Sequence, residues 1–281
     1  MKQFLLLILL SCCFQFTYGQ ATELNELKTD SVQLDTNQTY VINSIVLIGN
    51  KKTRDYIILR EIPVKKGDTL SGKKLTKELE QARKNILNTT LFHFASINLV
   101  EEKNQISIYV IVNERWYFFP FPILEIDDTN FNTWFETKDW NRINYGIYLT
   151  QRNIGGRDET MRFTFQLGFR ERIKLSYSIP YINKKKTIGL NLSSSFLRRH
   201  EIAYISSNNK RLQVRDENDY LYKNQTYGAA IHYRKKIFNK HTLILNYNNI
   251  HVTDTVVNLN PDYLSENKNR NEFLTLSYNF T

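Results

Sequence analysis

The sequence predicts a small α+β module with the element order β-α-α-β-β, followed by an antiparallel transmembrane β-barrel or half-barrel of about eight strands. Three observations support this architecture. An apolar leader-like segment opens the chain, helical periodicity is confined to residues 40–115, and residues 116–281 alternate between apolar and polar side chains over long stretches.

Composition excludes two classes of protein. The 281 residues are 41% hydrophobic and 23% charged, which is too apolar for a disordered chain and too polar for a bundle of membrane helices. With 17 Tyr, 17 Phe and a net charge of +10, the chain suits either a nucleic-acid surface or a membrane β-protein. Composition alone does not choose between these two.

Residues 1–19 have the pattern of a secretory signal peptide, with Gly19 before the predicted first mature residue, Gln20. Both cysteines, Cys12 and Cys13, lie inside this segment, so the exported chain is expected to have no disulfide and no cysteine metal site. A lipoprotein acylated at Cys12 is the alternative. Export argues against nucleic acid as a partner.

A polar linker is predicted at residues 20–39, and the α+β module occupies residues 40–115. Its first strand ends at the turn signal Gly49-Asn50, and Thr53 is expected to be the N-cap of a short helix. A second helix follows between residues 70 and 87. Two alternating strands complete the module.

This module resembles a POTRA domain through motifs that occur in the family's order: Ile45-x-x-Ile48-Gly49-Asn50, Ile58-Leu59-Arg60-Glu61-Ile62, Lys66-Gly67-Asp68 and Leu91-Phe92-x-Phe94. The resemblance implies a periplasmic docking module that captures extended client segments by strand addition, since an edge strand offers unpaired N–H and C=O groups. It implies that the binding edge is at Ser96, Ile97, Asn98 and Leu99. A solvated edge without a client is the alternative.

Beyond residue 116 the pattern favours strands. The clearest example runs from Met161 to Arg170, where Met, Phe, Phe, Leu and Phe alternate with polar residues and glycine, so that Phe169 is expected on the apolar face. Long strands with one apolar face are typical of a membrane barrel, whereas a soluble sandwich has a charged outer face. The predicted strands are 117–126, 142–151, 159–169, 172–180, 186–197, 220–235, 241–252 and 271–280.

The connections predict the orientation. Tight turns near residues 154–156, 183–185 and 238–240 contrast with long polar links at 127–141, 198–219 and 253–270. Outer-membrane barrels keep their short turns in the periplasm. We therefore expect an outer-membrane location, with the α+β module in the periplasm.

A second resemblance lies in the barrel segment, residues 116–281. Gln151-Arg152-Asn153-Ile154-Gly155-Gly156-Arg157 and Ile179-Pro180-Tyr181 are similar to the first periplasmic turn and the fourth-strand end of BamA/TamA-type barrels. The resemblance implies an assembly and insertion factor for outer-membrane proteins. Its implied partners are unfolded outer-membrane protein clients, outer-membrane lipid and periplasmic accessory proteins. A translocation pore, a surface-displayed barrel of the same superfamily and an anchor for a periplasmic adaptor are the alternatives.

Two departures from the family pattern leave the size of the barrel open. The family barrel has sixteen strands and an Arg-Gly-Phe loop in its second half, whereas this sequence predicts about eight strands and contains no Arg-Gly-Phe. Several POTRA repeats usually precede the family barrel, whereas one POTRA-like module precedes it here. We expect either the front half of a longer barrel, which the position of the match favours, or a reduced barrel of about eight strands.

No nucleophile elbow, P-loop or dinucleotide-binding glycine motif occurs in the sequence. The sequence therefore predicts no catalytic residue, cofactor or metal site.

Overall fold

The computed structural model describes residues 34–102, 105–127, 134–135, 138–183, 185–236, 239–265 and 267–281. The predicted signal peptide and most of the predicted linker lie outside these residues. Within them, no helix has both the length and the apolar character needed to cross a membrane.

The N-terminal module contains four strands and two helices: β1 (Thr39–Ile48), α1 (Asp55–Leu59), β2 (Thr69–Ser71), α2 (Gly72–Asn88), β3 (Phe92–Glu102) and β4 (Gln105–Glu114). The sheet order is β2-β1-β4-β3, with β1 parallel to β4 and the other pairs antiparallel. Parallel strands need a long crossover, which the two helices supply. The predicted order β-α-α-β-β is confirmed, with the three-residue β2 added between the helices.

The core of the module lies between α2 and the sheet. The side chains of α2 that face the sheet recur at helical spacing: Leu75, Leu79, Ala82 and Ile86. The strand β4 presents every second side chain to them: Ile106, Ile108, Val110 and Val112. Apolar residues at the spacing of a helix turn in α2, and at every second position in β4, therefore place one apolar face of each element in the core.

Thr53 does not cap α1, which begins at Asp55 with Arg54 at the N-cap position. Its side chain is buried, and its hydroxyl contacts Tyr117 and Asn153 instead. The predicted helix is therefore present, but the predicted cap is wrong because Thr53 has partners distant in sequence.

After the module, the described residues form ten strands and a short helix: β5 (Phe118–Ile126), β6 (Ile143–Arg152), β7 (Thr160–Gly168), β8 (Arg170–Ile179), β9 (Ile188–Arg199), β10 (Glu201–Ser207), β11 (Lys210–Arg215), β12 (Tyr222–Lys236), β13 (Asn239–Val252), α3 (Asp254–Leu259) and β14 (Arg270–Phe280). Eight of the strands form one antiparallel sheet in the order β14-β13-β12-β9-β8-β7-β6-β5. The eight predicted strands match these eight to within two residues at each end.

The sheet has one apolar and one polar face. One cross-strand row on the apolar face contains Phe163, Leu175, Ser194, Tyr227, Tyr247 and Leu274. The opposite face has a cavity of about 300 Å³, lined by Tyr148, Arg162, Thr164, Lys174, Ser176, Asn191 and Ser193. Within the described residues β5 and β14 are the two edges and do not pair with each other, so the sheet is open.

Phe169 does not continue the apolar face. Gly168 has a φ of +110°, which ends the alternation, and β8 already begins at Arg170. The Phe169 ring is buried beneath two guanidinium groups. Its centroid lies 4.9 Å from Cζ of Arg142 and 5.7 Å from Cζ of Arg215. A glycine at positive φ therefore turned the last aromatic of the pattern away from the outer face.

The hairpin β10–β11 lies at the end of the sheet opposite the N-terminal module. Its turn is made by Asn208 and Asn209, which have φ values of 51° and 60°. Such residues suit the two-residue turn of a hairpin. Arg142 holds the hairpin to β6 by two hydrogen bonds, of 3.1 and 2.9 Å, to the carboxylate of Glu201.

Candidate functional site

The four predicted binding residues, Ser96, Ile97, Asn98 and Leu99, lie together in β3, which is the edge strand of the module's sheet. On its inner side this stretch pairs with β4 in an antiparallel register, for example Ile97 with Val110. The structure therefore brings these four residues together at an edge of the sheet.

A groove of about 550 Å³ runs between β3 and α2. It is lined by Leu34, Thr36, Thr76, Leu79, Glu80, Arg83, Ile97 and Leu99. Sequence reasoning found the strand side of this groove and missed the helix side. The signal was present, because Thr76, Glu80 and Arg83 recur at the spacing that places residues on one helix face.

The chemistry of the groove is that of a docking surface. Leu79, Ile97 and Leu99 provide an apolar floor, while Glu80 and Arg83 provide one charge of each sign on the exposed face of α2. An extended segment that alternates apolar and polar side chains fits such a floor beside a strand edge. The described residues contain no group of His, Cys, Asp or Glu able to hold a metal ion.

A buried hydrogen-bond network joins the module to the sheet. The tight turn between β6 and β7 reaches the module through Asn153, whose Nδ2 donates to Oγ1 of Thr53 at 2.8 Å. Oγ1 of Thr53 is also 3.3 Å from the hydroxyl of Tyr117, which donates to the backbone oxygen of Leu91 at 2.9 Å. Burial raises the pKa of Tyr117, so its hydroxyl stays protonated and can donate.

The backbone of the same turn approaches the module closely. The N–H of Arg54 donates to the carbonyl of Gly156 at 2.9 Å, and its Nε donates to the carbonyl of Gly155 at 3.0 Å. A Cβ at Gly156 would lie 2.3 Å from the backbone oxygen of Lys52. Gly156 also has a φ of +77°. The close approach and the positive φ both favour glycine at this position.

Two carboxylates at this turn have opposite behaviour. Glu159 is fully buried and accepts from Arg157 Nε at 2.6 Å; burial opposes its charge, but the hydrogen bonds from Arg157 outweigh burial and lower its pKa. Burial raises the pKa of Asp158 to about 6, against the opposing effect of the guanidinium groups of Arg152 and Arg60. The turn therefore contains one carboxylate that is stably ionised and one that titrates near neutral pH.

A second contact joins the residues that directly follow α1 to the link between β8 and β9. Nζ of Lys186 lies 2.5 Å from Oε1 of Glu61, and the guanidinium of Arg60 lies 5.5 Å from the ring centroid of Tyr181. The module is therefore held by two neighbouring connections of the sheet. This arrangement fixes the direction in which the groove faces.

Residues 40–115 match the family model described as "Surface antigen variable number repeat", the POTRA family. The four-stranded sheet and its two helices occupy nearly the same residues as this match. These residues form a POTRA domain. The POTRA domain contains the edge strand β3, the groove beside α2 and the surface that contacts the sheet.

Among solved structures, the chain resembles "The crystal structure of BamA from Haemophilus ducreyi lacking POTRA domains 1-3". The identity is 17%, the TM-score is 0.54, and the match covers 88% of this chain and 44% of the BamA chain. The chain therefore has the POTRA-plus-barrel fold, with an open antiparallel sheet in place of a closed barrel in the described residues.

Two further structures are weaker matches. CdiB from Acinetobacter baumannii has 11% identity and a TM-score of 0.39, covering 86% of this chain and 42% of that one. CdiB from Escherichia coli has 10% identity and a TM-score of 0.38, covering 85% and 39%. No curated protein matches the chain by sequence. The chain spans less than half the length of each of the three solved structures.

Proposed function

We propose that this chain is an assembly factor of the outer membrane, whose POTRA domain docks extended segments of unfolded outer-membrane proteins. The observation that carries the proposal is the edge strand β3 with its apolar groove, held in a fixed direction beside a sheet with one apolar face. The fold shared with BamA supports the same function. Insertion assisted by the sheet and contacts with periplasmic accessory proteins belong to this proposal.

The apolar face of the sheet supports an outer-membrane location with the POTRA domain in the periplasm. Large apolar side chains on this face are strongly exposed, including Leu274 at 68%, Leu276 at 69% and Tyr278 at 62%. An exposed apolar surface of this extent is usually covered by a binding partner or a membrane. The acyl chains of lipids cover the continuous apolar face that alternating strands form in a membrane barrel. The strands, of 9 to 15 residues, are long enough to cross the hydrocarbon layer.

Docking by strand addition combines two sources of affinity. Backbone groups of the client bond along the outer edge of β3, and its alternate apolar side chains enter the groove over Leu79, Ile97 and Leu99. Backbone pairing is independent of sequence, whereas the groove selects for alternating segments. Such selectivity fits the strands of outer-membrane barrels, which share this alternation.

The test fills the groove from its helix wall. Thr76→Trp places a large ring in the groove from an exposed position of α2, and Lys77→Trp places the same ring at the next exposed position, outside the lining of the groove. The probe is a fluorescent synthetic peptide with the sequence of a porin's last strand, titrated against the full chain in detergent. We expect Thr76→Trp to weaken binding about tenfold or more, and Lys77→Trp to leave it unchanged.

Two results would contradict the proposal. Equal binding by both tryptophan variants and the unsubstituted chain would show that the groove is not the docking site. Failure of the unsubstituted chain to bind any strand peptide would remove docking altogether. Circular dichroism of both variants checks that the helix is intact.

A further inference from the structure

The direction of the backbone groups along β5 follows from two hydrogen bonds at its ends. The N–H of Arg152 donates to the carbonyl of Tyr117 at 2.7 Å, and the N–H of Asp127 donates to the carbonyl of Arg142 at 2.8 Å. The register between β5 and β6 has no shift between these points. Bonded and non-bonded pairs alternate in antiparallel strands. The odd-numbered residues of β5 therefore bond to β6, and the even-numbered residues direct their N–H and C=O groups to the open edge.

The half of this edge that lies near the POTRA domain lacks two of its N–H donors, and one of its carbonyls is already hydrogen-bonded. Pro120 and Pro122 are both even-numbered, and proline has no N–H. The carbonyl of Phe118, which also points to the open edge, already accepts a hydrogen bond from the indole N–H of Trp116. Three consecutive edge-facing positions are therefore incomplete: Pro120 and Pro122 lack the donor because of their own rings, and the Phe118 carbonyl is occupied by Trp116.

The far half of the edge is different. Leu124 and Ile126 are the remaining even-numbered residues of β5, and each has both an N–H and a C=O directed away from β6. Leu124 is 78% exposed. An added strand thus finds complete pairing groups only at the end of β5 that is distant from the POTRA domain.

We propose that the open edge of β5 is closed to strand addition over residues 118–122 and admits an added strand only at Leu124 and Ile126. That this strand is an extended segment of an outer-membrane protein rests on the proposed function. A strand laid along residues 118–122 would leave its own carbonyls without donors opposite the two prolines, which is costly where water is scarce. A gap in strand pairing next to the POTRA domain is the consequence.

The two prolines leave the β5–β6 pairing intact because they occupy positions that do not bond to β6. The same alternation of residues that bond to β6 and residues that face the open edge predicts which hydrogen bonds a new proline would remove. Leu124→Pro would remove an edge donor and leave the bonds to β6 in place, whereas Ile123→Pro would remove a bond to β6. This pair of variants separates edge pairing from stability of the sheet.

The experiment maps where a strand adds to the full chain in liposomes. The probe is a synthetic peptide with the sequence of residues 270–280 that carries a benzophenone group, and mass spectrometry locates its photo-crosslinks. In the unsubstituted chain we expect crosslinks on β5 near residues 124–126 and not near 118–122. Leu124→Pro should abolish them, with the heat-modified migration of the protein unchanged.

The combined variant Trp116→Phe, Pro120→Val, Pro122→Val restores the missing groups. Crosslinks should then extend along residues 118–122, and the peptide should bind on the order of tenfold more tightly. Crosslinks spread evenly over β5 in the unsubstituted chain would overturn the proposal. So would a combined variant with the same crosslink positions and the same peptide affinity as the unsubstituted chain. Thr76→Trp serves as a separate control, because loss of groove docking should leave the position of the β5 crosslinks unchanged.

Discussion

The Nδ2 amide of Asn153 donates a 2.8 Å hydrogen bond to Oγ1 of Thr53, across 100 residues of sequence. Both residues are buried, at 0% and 2% exposure, so the bond has no competition from water. Asn153 also accepts a hydrogen bond from the N–H of Asp158 at 2.9 Å, which closes the turn between β6 and β7. A single side chain therefore shapes the turn and attaches it to the POTRA domain.

We expect Thr53→Val to loosen the joint between the POTRA domain and the sheet. Valine has nearly the same shape but cannot accept from Asn153, so a buried donor loses its partner, at a cost of about 1–3 kcal/mol. Pulsed electron paramagnetic resonance between one spin label on α2 and one on β13 should show a broader distance distribution. Thr76→Val is the control, because among the described residues the Thr76 hydroxyl donates to the carbonyl of Gly72, within its own helix. An unchanged distribution in Thr53→Val would show that this bond does not hold the joint.

Gly156→Ala should disrupt the same joint more severely. The new Cβ would lie 2.3 Å from the backbone oxygen of Lys52, and the residue has a φ of +77°. Gly67→Ala is a matched control, since Gly67 has a φ of +89° but no atom within 4 Å of the added Cβ. Both variants share the cost of the left-handed conformation, about 1 kcal/mol. Only Gly156→Ala should also accelerate proteolysis between the POTRA domain and the sheet; equal proteolysis of both variants would contradict the contact.

The stability of the joint should depend on pH through Asp158. Its pKa is raised from 3.8 to about 6 in the folded protein, so the folded state binds the proton more tightly than the unfolded state. The resulting stabilisation is fully present below pH 3.8 and is lost as the pH rises through about 6. Glu159, whose pKa is lowered, stays ionised across this upper range.

Asp158→Asn should therefore stabilise the joint at pH 8, by about 1 kcal/mol, and remove the pH dependence between 5 and 8. Asparagine also tolerates the φ of 66° at this position. The loss of the ion pair with Arg152, which is 3.7 Å long, offsets part of the gain. Urea midpoints followed across this pH range test the prediction, and a dependence that persists in Asp158→Asn would assign it to another group.

Glu201→Ala should release the hairpin β10–β11 from the end of the sheet. Its carboxylate is largely buried, with 8% side-chain exposure, and lies 2.9 Å from Arg142. Removing one partner of a buried pair costs about 3 kcal/mol. Glu217→Ala is the control, because that carboxylate is 75% exposed and 3.7 Å from Arg215. Faster cleavage of the hairpin by protease only in Glu201→Ala would confirm the difference, and similar cleavage in both would refute it.

The strands of the sheet were predictable from sequence because the two faces of a strand alternate with a period of two residues, as from Met161 to Leu167. The same rule placed Phe169 wrongly, since Gly168 breaks the period through its backbone conformation. The hairpin at Asn208-Asn209 was missed although two consecutive asparagines are a recognised turn signal. Its polar strands lack the apolar alternation on which the prediction relied.

Of the candidate site, sequence reasoning located the edge strand at Ser96–Leu99 and missed the groove and the joint. The edge follows from local strand pattern and a family resemblance. The groove needs the tertiary position of Thr76 and Arg83 relative to β3. The role of Thr53 depends on a partner in another part of the chain, so its local pattern indicated only a helix cap.

Client docking and assisted insertion are measured together by the folding of a urea-unfolded eight-stranded outer-membrane barrel into liposomes that contain this chain, followed by heat-modified migration on gels. We predict faster folding with the unsubstituted chain and with Lys77→Trp than with empty liposomes, and no acceleration with Thr76→Trp. Equal rates in empty liposomes and in liposomes with the unsubstituted chain would contradict this prediction.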